Sequence, residues 1–312
     1  MKGSIQYYPW LAKLLFLIGI FLIAEVLFSY LGMYLTDFLF PGVNFLSMAQ
    51  RMETADAIAP DSPTVHALQL YQVISSLGRF LLVPFLYCYL AGVPSLSTLG
   101  LHRAPGPKAI LLIVPIVLSA AIVTGFVYEW NQGIDFPAAL SSLESRMRDM
   151  EASAQNMTDA FLGTQRWSGL LLNLLIIGVV AAVSEEIIFR GLLQHVFMGW
   201  TRNGHAAIWL SAFAFSFIHL QFFGFFPRLL LGALLGYLYM WSGSLWTAIF
   251  GHFLNNSMAV VLYFLVARGV IDSDPTETGT WIQALVFLPI FALFMWQYYR
   301  TTQDGKRLDT GI

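Results

Sequence analysis

Long apolar blocks alternate along this chain with short stretches rich in charged residues, glycine and proline. Eight blocks approach or exceed the ~20 apolar residues that a helix needs to cross ~30 Å of hydrocarbon. They cover roughly residues 10–35, 68–91, 109–128, 168–198, 206–222, 228–241, 245–267 and 281–299. The pattern predicts an all-α, multi-pass integral membrane bundle of about eight transmembrane helices. The sixth block is the short one and reads as tilted or partly re-entrant. The first follows Lys2 as a signal peptide would, but it is too long for a signal-peptide apolar region and no small-residue cleavage pattern follows it.

Between the third and fourth blocks the periodicity changes. Leu140, Leu143, Met147, Met150, Ala154, Met157 and Phe161 recur at alternating steps of three and four, an apolar stripe with charges on the opposite face. Ser141 and Glu144 fit a capping box and Gly163 fits a helix end, with an earlier start at Pro137 as the alternative. This segment is expected to be an amphipathic helix that packs on the bundle or lies in the headgroup plane, ahead of a substrate lid.

Composition agrees with the pattern. Of 312 residues, 57% are hydrophobic and 11% charged, against about 25% charged in soluble domains; mean hydropathy is +0.68. A net charge of −2 without a basic cluster gives nucleic acid no footprint. The single cysteine, Cys88, excludes an internal disulfide and a cysteine-based zinc site. With the N-terminus inside, Lys2, Arg103, Lys108, Arg202, Arg300, Lys306 and Arg307 lie on the cytoplasmic side, facing Arg51, Arg146, Arg148, Arg166, Arg228 and Arg268 on the other. The inner loops are the shorter ones, so density of positive charge favours both termini in the cytoplasm; the expected location is the plasma (inner) membrane. Trp10, Trp167, Trp200, Trp241, Trp246 and Trp281 fall near block ends, as interfacial aromatics do.

Polar residues inside the apolar blocks need an explanation, because translocon-based scales put an uncompensated charge at about +2.5 to +3.5 kcal/mol. Glu25 and Arg79, in the first and second blocks, are expected to form an interhelical salt bridge or to snorkel. Asn173 suits an interhelical hydrogen bond, and Gly232 with Gly236 a close helix contact. The fourth block carries VSEEIIFRG. Glu186 and Arg190 are four apart and can pair on one face, whereas Glu185 projects about 100° away and needs partners on another helix. Candidates are His219 in FSFIHL, and His252 with Asn256, four apart in GHFLNNS. Two histidines, an asparagine and an unpaired glutamate on three blocks are each expensive unless they converge on a polar cavity.

In order, SEEIIFRG, FSFIH and HFLNN resemble the EExxxR, FxxxH and HxxxN motifs of the CPBP family (CAAX protease and bacteriocin-processing, Abi-like), which includes the type-2 CAAX prenyl endopeptidases. The resemblance covers about residues 168–267. It implies an intramembrane endopeptidase in which Glu185 and His219 activate a water, His252 and Asn256 stabilise the oxyanion, and Glu186 and Arg190 support the structure. With the block pattern, it gives an expected division into three N-terminal helices (1–135), an amphipathic connector (136–166), a catalytic membrane core (167–300) and a polar cytoplasmic tail (301–312); no motif of the family covers the first two. Substrates would be membrane-embedded or lipid-modified peptides at the bilayer, whether prenylated CAAX-like, bacteriocin or signal peptides; the sequence leaves the oligomeric state open.

Asparagine and histidine are apt oxyanion donors. No cofactor is favoured. Zinc on Glu185, His219 and His252 is the alternative, a His₂Glu set that has led similar proteins to be called metalloproteases; a metal-free reading accounts better for Asn256, since an amide is a poor zinc ligand. Neither HExxH nor GxGD is present. A serine nucleophile at Ser184 or Ser216 lacks a glycine-rich setting. The rival functions are a non-enzymatic membrane scaffold or bacteriocin-immunity protein and, less favoured for want of an internal repeat, a proton-coupled transporter.

Overall fold

The computed structural model describes residues 2–43, 58–272 and 280–310; Arg51, counted above as an outer loop charge, lies outside them. Among the described residues there is no strand. Nine principal helices follow one another: α1 (Trp10–Leu39), α2 (Pro63–Ala91), α3 (Pro107–Gln132), α4 (Ser141–Leu162), α5 (Trp167–Thr201), α6 (Gly204–Phe217), α7 (Phe225–Ser242), α8 (Leu245–Ala267) and α9 (Trp281–Thr310). Seven of them, all but α4 and α6, are long and apolar enough to cross a membrane. The chain is a multi-pass helical membrane bundle.

The expected eight crossings thus appear as seven long helices and one short one, but the short one is α6, in the fifth block. The sixth block is a helical stretch of 21 residues from Phe222. The reason lies in the join. α6 stops at Phe217, Leu220 takes φ +54°, and a 3-10 turn at Phe222–Gly224 reverses the chain into α7. A leucine in the left-handed region costs about 1–2 kcal/mol and ends a helix.

Local chemistry sets the other boundaries. Ser62 caps α2 through Val65 N–H at 3.3 Å, with Pro63 at the first position, and Gly92 closes it at φ +72°. Asn203 Oδ1 accepts from the N–H groups of His205 and Ala206 to start α6. Trp10, Trp167 and Trp281 each begin a helix. The amphipathic helix α4 forms as expected, although its start differs. A 3-10 turn follows Pro137, and Glu144 caps no helix end; its carboxylate accepts from the Phe136 N–H at 3.1 Å and from Arg148 Nε at 2.9 Å. The second contact holds the Glu144 carboxyl below the usual carboxylate range.

The apolar stripe on α4 divides in two. Leu140, Leu143 and Met150 are exposed, whereas Phe161 is buried among Val65, Leu68, Leu170, Val260 and Phe264 of α2, α5 and α8. Asn173 locks this corner, accepting from Gln69 Nε2 at 2.9 Å and donating to Phe161 O at 2.5 Å. Glu25 and Arg79 form the expected bridge between α1 and α2 at 2.5 Å. A second core joins α3, α7, α8 and α9 around Ile113, Leu235, Ala248 and Tyr298.

α6 packs closely along α7 on small residues. A Cβ on Gly232 would meet the backbone and side chain of Ala212 at 3.1 and 3.0 Å, and one on Gly236 would meet Ile208 and Gln194 at 2.9 Å. The carbonyls of both glycines receive side-chain donors, from Arg190 Nη2 at 3.1 Å and Gln194 Nε2 at 3.4 Å. Overpacking here forces backbone apart, so Gly232→Val is expected to destabilise the protein by about 1–3 kcal/mol. Thermal unfolding in detergent measures this, and an unchanged midpoint would show that α6 and α7 are not held by that contact.

Candidate active site

Glu185 and Glu186 sit side by side in a helix that is not uniform. α5 widens into π-type turns at Leu174–Ala181 and Ile187–Leu193, with an α segment, Ala182–Glu186, between them. Turns of this kind loosen the i→i+4 ladder and recur at functional sites. Glu186 points into the bundle with its side chain fully buried. Its Oε1 accepts from Arg190 Nη1 at 2.6 Å and from His252 Nδ1 at 2.8 Å. Arg190, equally buried, also stacks 4.5 Å over the Phe215 ring. Charge, acceptor and aromatic face together answer a guanidinium that water cannot reach.

Glu185 has the opposite environment. Its side chain is 18% exposed and lines a cavity of about 1430 Å³, with Oε2 3.9 Å from His252 Nε2. His219, Asn256 and Asn255 line the same cavity. His219 occupies the turn after α6, where Nδ1 bonds to Phe215 O at 2.8 Å. A carbonyl only accepts, so Nδ1 carries the hydrogen and Nε2 is the nitrogen left for the cavity. The Phe215 ring stands edge-on to both imidazoles, its centroid 5.2 Å from that of His219 and 5.8 Å from that of His252. On α8, Asn256 Nδ2 donates to Ile177 O, in the first widened turn of α5, at 2.9 Å, and Oδ1 accepts from Asn255 Nδ2 at 3.3 Å. One N–H of the Asn256 amide is left over.

All four residues singled out in the sequence therefore border one chamber, and the two assigned to support, Glu186 and Arg190, are buried behind it and joined to it through His252. Spacing gave the Glu186–Arg190 pair but not the bond from Glu186 to His252, which joins positions 66 residues apart. Two further cavity residues were not anticipated. Phe215 appears in the FxxxH motif without a role, and Arg228, counted as an outer loop charge, lies in the first turn of α7 with its side chain on the cavity. An arginine among FFPRLLLG was the available signal.

Glu185, His219 and His252 are the side chains zinc would use. Among the described residues, however, no three His, Cys, Asp or Glu side chains converge closely enough to hold a metal ion. The arrangement does not fit zinc, and no step below runs through one. The serine alternative fails on geometry as well. Ser184 Oγ donates to Val180 O at 2.7 Å, and Ser216 Oγ donates to Phe225 O at 2.7 Å, so both hydroxyls are spent on backbone.

No curated protein and no solved structure matches the chain significantly. Residues 167–258 match the family model described as type II CAAX prenyl endopeptidase Rce1-like. That stretch holds Glu185, His219, His252 and Asn256, which border the chamber, and Glu186 and Arg190, buried behind them. The match to the Rce1-like family model spans the three motifs read in order along the sequence and supports their resemblance to the CAAX protease family.

Proposed function

We propose that the chain is an intramembrane endopeptidase that hydrolyses a peptide bond of a membrane-associated substrate with water activated by Glu185 and His219. The observation that carries this reading is the convergence of Glu185, His219, His252 and Asn256 on one cavity. Its volume exceeds the ~300–1,000 Å³ usual for small-molecule sites, which suits a chain-like substrate better than a metabolite. A prenylated CAAX-like peptide, a bacteriocin precursor and a signal peptide all meet that description. The plasma membrane, with both termini in the cytoplasm, is the proposed location.

Hydrogen-bond roles support a division of labour. His219, with Nδ1–H committed to Phe215 O, offers Nε2 as an acceptor, and Glu185 offers carboxylate oxygens; both suit removal of a proton from water as it attacks the carbonyl. The remaining Asn256 N–H is a donor for the resulting oxyanion. His252 has its Nδ1 on Glu186, so its Nε2 donates only when the ring carries a second proton. His252 Nε2 lies 3.9 Å from Glu185 Oε2, at the cavity in which the negative charge develops. Collapse of the tetrahedral intermediate returns a proton to the departing amine, and the imidazoles of His219 and His252 are the carriers at hand.

Three outcomes test the assignment. Glu185→Gln and His219→Ala are each expected to lower kcat by about 10²–10⁴-fold, and Asn256→Ala by about 10²–10³-fold, on a membrane-anchored peptide that the wild-type chain cuts; full activity in the Glu185 and His219 variants sinks the mechanism. Ser184→Ala and Ser216→Ala should leave kcat within about twofold, since small hydroxyls bonded to backbone act on packing rather than on chemistry. Arg190→Ala strands the Glu186 charge, and removing one partner of a buried pair costs about 3–5 kcal/mol. A marked fall in thermal midpoint is therefore expected for that variant, with Glu185→Gln close to wild type in the same assay.

A further inference from the structure

Arg228 is a cation for which the mechanism above has no use. It sits in the first turn of α7, and its guanidinium folds back over Gly224, where a Cβ would collide with Nη2. Its Nη1 is buried without a hydrogen-bond partner among the described residues. Arg228 lines the same cavity as Glu185 and lies within electrostatic range of Glu185, Glu151 and Tyr128. One guanidinium therefore lies within reach of the charge of two carboxylates. One belongs to the proposed reaction, and the other belongs to α4, outside the spanning helices.

The α4 side of this arrangement is built. α4 packs against the 3-10 turn Phe222–Gly224, which directly follows the segment bearing His219. Phe223 is fully buried there, with the Arg148 guanidinium 4.4 Å over its ring. Three residues on, Glu151 faces the Phe223 N–H and the charge of Arg228, and its Oε2 is buried without a hydrogen-bond partner among the described residues. From the other side the turn is held by Asn131 Oδ1, which accepts from Phe226 N–H at 3.1 Å, and by Ser216 Oγ on Phe225 O. Burial pushes the Glu151 carboxyl up despite the opposing pull of Arg228 and the Phe223 N–H, so the compensation Arg228 gives it is partial. Arg228 Nη1 and Glu151 Oε2 are both left without a hydrogen-bond partner among the described residues, so the cation is not closed on the α4 carboxylate and remains shared.

Sharing matters because of what Arg228 would otherwise do. In a site sheltered from water, a guanidinium free to approach a carboxylate pairs with it through two charge-assisted hydrogen bonds. Paired in that way, Glu185 would have its lone pairs occupied and would be unable to accept the proton of a water. We propose that Glu151 is a positioning residue for Glu185: it draws Arg228 towards α4 and so keeps the cavity carboxylate open to water. The proposal rests on the peptidase reading of that same cavity. It also gives α4 a part in the site beyond covering it, since the helix sets where the cavity's cation points.

The test is a charge-compensation cycle in the full-length chain, in detergent, with a quenched-fluorescent membrane-anchored peptide selected because the wild type cuts it. Glu151→Gln is expected to lower kcat by about tenfold or more, the scale of one charge-assisted hydrogen bond misdirected, with KM within about twofold and the thermal midpoint unchanged. Adding Arg228→Gln removes the cation that Glu151 restrains, so the double variant is expected to regain most of that loss. A purely structural Glu151 would show a lowered midpoint and no recovery of kcat. Wild-type kcat in Glu151→Gln, or a double variant as slow as the single one, overturns the proposal; an inactive Glu185→Ala measured alongside would leave the peptidase reading standing. Full activity in Glu185→Ala would instead remove the reading itself.

Discussion

Everything in this bundle answers to one buried guanidinium. Arg190 has no access to water, and its charge is met by Glu186, by the carbonyl of Gly232 and by the face of Phe215. Each of those partners does a second job. Glu186 also receives the Nδ1–H of His252, Gly232 brings α7 close to α6, and Phe215 stands against both imidazoles while its carbonyl takes the hydrogen of His219. In hydrocarbon, where an unsatisfied polar group costs several kcal/mol, such multiple use is how one charge fixes the orientation of several others. The groups that meet the guanidinium also orient the two rings, His219 through the Phe215 carbonyl and His252 through Glu186.

The helical backbone is bent to the same end. The widened turn at Leu174–Ala181 presents the Ile177 carbonyl to Asn256, and the one at Ile187–Leu193 carries Arg190. A regular α-helix across residues 167–201 would have offered fewer backbone acceptors to its neighbours. α6 contributes by stopping early: its end at Phe217 leaves His219 in a turn at the cavity, where a longer helix would have carried the chain past it.

Much of this was legible from residue order, and the boundary of what was legible is physical. Apolar block length gave the long helices because hydrocarbon thickness is a property of the solvent. The Glu25–Arg79 bridge and the role of Asn173 followed from the cost of polar groups in lipid. The chamber's four polar residues were recognisable because each would be expensive alone. Hidden from the sequence were the relations that depend on how helices rotate against one another: the short helix falling in the fifth block, the bond from Glu186 to His252, and Arg228 turning inward over Gly224. The capping box at Ser141 and Glu144 misled for a related reason. Glu144 had a better offer from Phe136 and Arg148 than from the helix end.

Two consecutive glutamates in one helix meet opposite fates, Glu186 sealed away and Glu185 reaching the chamber. A slip of a single position in this stretch would hand the dry socket to the acid that faces water and leave the arginine's answering charge on the wrong side. Loops elsewhere in the chain can absorb gained or lost residues. Between Ala182 and Arg190 the count itself is under constraint, and a deletion there is a more severe change than most substitutions.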